Sequence, residues 1–108
     1  MKLLFIILNA EDCLEDMLSL FLELGVPGAT LVDSVGMGHI IAHDIPIFAG
    51  LRGMLAGNHP YNRTIYTVLD DELCLIVMDE LSAMMKAADQ PNAGIMFSLP
   101  IDQFRSFS

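Results

Sequence analysis

The stretch Gly25 to Gly38, GVPGATLVDSVGMG, decides how this chain is organised. Gly25 follows an apolar-periodic segment and suits the left-handed residue that ends a helix. Pro27-Gly28 reads as a turn. Ala29 to Val35 then reads as a strand, closed by Gly36 and Gly38.

On the N-terminal side, Leu3 to Leu8 (LLFIIL) is an apolar run without alternation. Such a strand needs cover on both faces. Asn9 is placed to cap a helix running to about Leu24, with Glu11 and Asp12 in its first turn. Glu11, Asp12, Glu15, Asp16, Ser19 and Glu23 share the polar face. Leu14, Met17, Leu18, Phe21 and Leu22 form the apolar stripe.

On the C-terminal side, residues 39–62 hold no clear strand. Insertions of that length in compact domains are usually functional or mobile. Ile45, Ile47, Phe48, Leu51 and Leu55 are spaced for a short docked helix starting near Pro46. Thr64 to Leu69 reads as a third strand. Asp70 and Asp71 offer a cap for a helix over Glu72–Ala88. Ile95 to Ile101 is the last strand, with Pro100 marking an edge or an end. The order β-α-β, insertion, β-α-β is α+β: a ferredoxin-like βαββαβ unit, with a four-stranded antiparallel sheet and two helices on one face.

At 108 residues the chain is a single domain, 1–108. Its apolar share, 54%, exceeds that of most soluble domains. No run is long enough for a membrane helix, and no cleavage site follows the N-terminal apolar run. The excess therefore points to oligomerisation. A formal charge of −9 argues against nucleic acid and anionic membrane partners. Cys13 and Cys74 sit inside apolar segments and read as reduced core thiols, which suits the cytoplasm.

The pattern G-V-P-G-A-T-L-x-x-S-x-G-M-G over Gly25–Gly38 resembles the segment after the first helix of the nitrogen-regulatory PII signalling proteins. The strand order, the long loop after strand 2 and the glycine before strand 4 agree with it over about residues 1–101. The resemblance implies a homotrimer whose sheets pack around the axis and cover the second face of LLFIIL. It implies inter-subunit clefts that bind small ligands, adenine nucleotides above all. It also implies a loop, here 39–62, that touches a protein partner. By position, Gly28, Thr30, Gly36 and Gly38 match the cleft wall given by strand 2. Gly94 matches the last glycine of the second phosphate-facing turn. Ile95 stands where the family has a phosphate-binding lysine, and only Arg105 represents the basic C-terminal segment. Tight ATP binding of the PII kind is therefore not expected.

Other residues leave alternatives open. Arg52 and Arg63 border the insertion and suit either an anionic ligand in the cleft or the acids of a neighbour. His39, His43 and Asp44, with His59, are a weak candidate metal set; surface histidines are the blander reading. No Ser-His-Asp or Cys-His arrangement is recognisable, so an enzyme is not expected. Three readings follow: a trimeric PII-like regulator with a ligand in its clefts, a divalent-metal-binding trimer, and a structural oligomer whose cleft is plugged by the insertion.

Overall fold

The computed structural model describes residues 1–38, 40 and 61–107. In chain order the elements are β1 (Lys2–Leu8), a 3-10 turn (Glu11–Cys13), α1 (Leu14–Leu24), β2 (Thr30–Val35), β3 (Tyr61–Leu69), α2 (Asp71–Ala88) and β4 (Gly94–Pro100). The strands form one sheet in the order β2-β3-β1-β4. Every neighbouring pair is antiparallel. This is the ferredoxin-like arrangement, with β1 and β3 in the centre.

Alternation along β1 sorts its side chains. Leu4, Ile6 and Leu8 point to the helices and are almost wholly buried. They join Ile65 and Leu69 of β3, Met17 and Phe21 of α1, and Cys74, Val77 and Leu81 of α2 in one core. Leu3, Phe5 and Ile7 point the other way and stay half-buried. Phe5 stacks there on Tyr66 and Phe97, with ring centroids 6.1 Å and 5.2 Å apart.

The helix ends follow local chemistry. Gly25 is left-handed (φ 83°). Its N–H reaches the Leu22 carbonyl, and the Val26 N–H reaches that of Phe21 at 2.9 Å. This double closure satisfies carbonyls that the helix leaves open. At the start of α2 the Asp70 carboxylate accepts the Leu73 N–H at 2.7 Å.

Four sequence expectations need correction. Asn9 does not cap α1: Ala10 and a 3-10 turn lead into the helix, without a side-chain cap. The Asn9 amide instead donates to the Asn92 carbonyl, and the backbone N–H groups of Asn9 and Ala10 both donate to Ala93. Tertiary contact with the turn before β4 outcompetes the local cap. Leu22, placed on the buried stripe, is 79% exposed, and Leu20 and Leu24 pack against the core in its place. β3 starts at Tyr61, not Thr64. Asn62 and Arg63 are poor strand formers, but they pair across to Ser34 and Asp33, so the insertion cannot extend to 62. β4 starts one residue early, at Gly94, because Gly94 pairs with Leu8.

Replacing the α2 cap, Asp70→Ala, removes a hydrogen bond that no neighbour can supply. A loss of about 1 kcal/mol is expected in urea denaturation, with an unchanged m-value.

Candidate functional site

The sheet geometry divides the residues singled out by sequence between its two ends. Thr30 opens β2 opposite Tyr66, whereas Val35 closes it opposite Tyr61. Leu8 lies between Arg63 and Gly94. Gly36, Arg63 and Gly94 therefore share one end of the sheet. Gly28 and Thr30 lie at the other. His39, His43, Asp44, Arg52 and His59 lie outside the described residues, as does most of the 39–62 insertion. Among the described residues no group of three or more His, Cys, Asp or Glu is arranged to hold a metal.

The glycines differ in what they need from their own chain. Gly94 has φ 155°, and a Cβ there would come within 2.3 Å of the Ile7 carbonyl oxygen. Its bareness is required by the close approach of β4 to β1. Gly28 and Gly36 have no such constraint. A Cβ on Gly28 meets nothing within 4 Å, and on Gly36 only the Asn62 amide at 3.7 Å. The Gly28 carbonyl accepts a hydrogen bond from the buried Thr67 hydroxyl. After Gly36 the chain turns helical at Met37 and Gly38, and the Ile40 N–H donates to the Gly36 carbonyl at 3.3 Å.

Arg63 is held by two carboxylates. Its Nη2 lies 2.8 Å from Glu11 Oε1, and its Nε 2.9 Å from Asp33 Oδ1. Strand register causes this: Asp33 stands directly opposite Arg63, and the turn before α1 brings Glu11 over the same end. Both carboxylates are mainly exposed, so each pair contributes at most about 1 kcal/mol. Among the described residues, two acids face one cation at this corner. A polyanion would have to compete with both carboxylates for the guanidinium.

On the opposite face of the same strands lies a polar knot. The Ser34 hydroxyl makes a short hydrogen bond to the Asn62 side-chain oxygen, and it lies 2.9 Å from the Thr64 hydroxyl. Ser34, Tyr61, Asn62, Arg63, Glu11 and Asp33 together line a polar depression at this end of the sheet. Sequence reasoning missed Glu11 and Asp33 as partners of Arg63, and it missed the knot. Both depend on the register of β2 against β3, which residues 41–60 hide from any count along the chain.

A second concavity, about 250 Å³, opens between the helices and the β1–β4 end of the sheet. Met17, Leu81, Met85 and Met96 line it. Neither cysteine is poised as a nucleophile. Both are free and buried, and burial raises both thiol pKa values, with Asp12 and Asp16 adding to the rise at Cys13.

With this geometry in view, the fold can be placed among known ones. Over 91% of its length the chain superposes on 82% of a Thermus thermophilus protein described as a PII-like signaling protein, with TM-score 0.60 and 16% sequence identity. The chain has a divergent PII-like fold. No protein-family model and no curated protein matches its sequence. The PII-like fold accounts for the strand order and for the central place of β1. Among the described residues, no helix is long and apolar enough to cross a membrane.

Gly94→Ala tests whether the PII-like glycine before β4 is needed for folding alone. The Cβ clash and the strained φ are expected to cost about 2 kcal/mol or more, seen in thermal melts without added ligand. Gly28→Ala, in open space, is expected to leave the same melt within about 0.5 kcal/mol.

Proposed function

We propose that this protein is a homotrimeric regulatory protein of the PII-like kind, without enzymatic activity. It binds a small ligand in clefts between subunits and signals to a protein partner through the 39–60 segment. The observation that carries this reading is the uncovered face of the sheet. Leu3, Phe5 and Ile7 lie at its centre, with Ile95, Phe97 and Leu99 of β4 beside them. The three β4 side chains are 62%, 39% and 49% exposed in the single chain. A contiguous apolar face of this kind marks an association surface. The resemblance of Gly25–Gly38 to the PII pattern, together with the PII-like fold, supports a trimer and a cleft.

The bare backbone at Gly28 and Gly36, at the two ends of β2, leaves room for a ligand to lie along that strand. Thr30 and Gly38 border the same strand. The electrostatics bear on which ligand. Arg63 is engaged by Glu11 and Asp33, and Ile95 replaces the expected lysine. Among the described residues, a nucleotide triphosphate at the Arg63 end would face more acids than cations. A weakly charged adenine nucleotide, or a ligand without phosphate, suits the corner better. A divalent metal held by His39, His43 and Asp44 is the second reading. Its residues lie outside the described ones, and only its donor chemistry speaks for it.

Mass measurement on the purified protein tests the assembly: a species near three chains of 11.9 kDa is expected. Phe97→Asp places a charge on the apolar face and is expected to shift that species to monomer. A thermal-shift panel of nucleotides, cyclic dinucleotides, simple anions and divalent metals tests the cleft. A bound ligand at a hundred times its dissociation constant adds about 2.7 kcal/mol. A trimer that shows no shift across the panel would sink the sensor reading and leave a structural oligomer.

A further inference from the structure

The two edges of the sheet differ. β2, at one edge, is mixed on both sides, with Leu31, Asp33 and Val35 on its helix side and Thr30, Val32 and Ser34 on the other. β4, at the opposite edge, has a wholly apolar open side, and its helix side carries Gly94, Met96, Ser98 and Pro100. Its helix side borders the cavity of about 250 Å³ lined by Met17, Leu81, Met85, Ala93, Gly94 and Met96. Its other side carries the exposed Ile95, Phe97 and Leu99. The backbone groups on the outer side of β4 have no strand partner within the described chain. Such an edge accepts another extended segment.

The same chain presents a segment with matching chemistry. Residues 101–107 continue past β4 without helix or strand. Phe104 is 49% exposed and Phe107 fully exposed. A spacing of three puts these two rings on opposite faces of a strand. Burying both needs apolar cover on both sides of an edge, and β4 offers Ile95, Phe97 and Leu99 on one side and the methionine-lined cavity on the other. One ring would enter the cavity beside Met85 and Met96, where thioether–aromatic contacts are favourable. The other would lie on the open face beside Ile95 and Phe97.

The chain's own arm cannot make this contact. Ile101 is held on the line of the strand by its N–H bond to the Met1 carbonyl at 3.1 Å. The cavity lies about 20 Å back along β4, at ~3.3 Å per residue. Even a tight hairpin at Asp102-Gln103 would bring Phe107 only to the level of Ser98. We propose that residues 101–107 form an arm that adds as a strand to the β4 edge of a second copy, seating one phenylalanine in the helix-side cavity and the other on the open sheet face. The proposal rests on the oligomeric reading above. It adds to that reading a contact distinct from packing of sheet faces.

The test uses the full chain with the photo-crosslinking analogue p-benzoylphenylalanine at position 104, assembled from mixed isotope-labelled and unlabelled copies. The expected product joins position 104 of one copy to the Ser82–Met85 or Ala93–Met96 peptide of another. A Phe104→Ser, Phe107→Ser double variant, folded by circular dichroism, should raise the concentration for half-dissociation at least tenfold. An intact oligomer whose crosslinks fall within one chain, or at β2, would overturn the arm and leave the oligomer standing. A wild-type chain that is monomeric at every concentration would overturn both.

Discussion

Everything in this molecule depends on one strand that is apolar on both sides. Leu3–Leu8 alternates like any strand, yet neither of its faces suits water. Leu4, Ile6 and Leu8 are covered by α1 and α2. That fixes both helices on one side and puts β1 in the centre, between β3 and β4. Leu3, Phe5 and Ile7 receive only the partial cover of Tyr66 and Phe97. Burying them completely is worth roughly 25 cal/mol for each Å² removed from water. Among the described residues, no helix lies over that face. The proposed assembly follows from that deficit, and the acidic, polar outer face of α1 shows where association is not invited.

The end of the sheet where β1 and β2 finish and β3 and β4 begin is built differently on its two sides. The helix side carries charge: Glu11 and Asp33 close on Arg63. The open side carries neutral hydrogen bonds among Ser34, Asn62 and Thr64. A few ångströms along β1 the surface becomes apolar. This gradient separates a polar corner suited to a small ligand from an apolar zone suited to a second protein surface. It also restrains the comparison with PII-like proteins. The fold is shared, but among the described residues this corner sets two carboxylates against one guanidinium. Fold alone does not carry ligand chemistry from one protein to another.

Two turns, one at each end of the sheet, are held by unlike means. Gly25 closes α1 through backbone hydrogen bonds that only need a left-handed residue. The turn at 89–93 has Asp89 and Asn92 at positive φ without glycine. It is kept in place from outside, by Asn9 and Ala10 donating to Asn92 and Ala93 and by Gln90 donating to Asp12 at 2.8 Å. Gly94 can then lie against Ile7. Tertiary contacts stabilise a strained turn that local propensity would not choose.

The sequence by itself determined the class and order of the elements. Apolar periodicity, the glycine at 25, the aspartate at 70 and the β-branched run before it are local signals, and local signals survive in one dimension. The composition also showed an apolar share, 54%, above that of most soluble domains. The tertiary structure decided whatever depends on register and on competition between distant partners. Asp33 meets Arg63 only because β2 and β3 pair in one alignment, across an insertion whose length conceals it. Asn9 leaves its capping position because a turn more than eighty residues away offers a better acceptor. Leu22 faces water although its spacing fits the buried stripe, while Leu20 and Leu24 pack against the core. At Asn9 a non-local contact outweighs a capping preference of about 1 kcal/mol, and no reading along the chain can weigh the two.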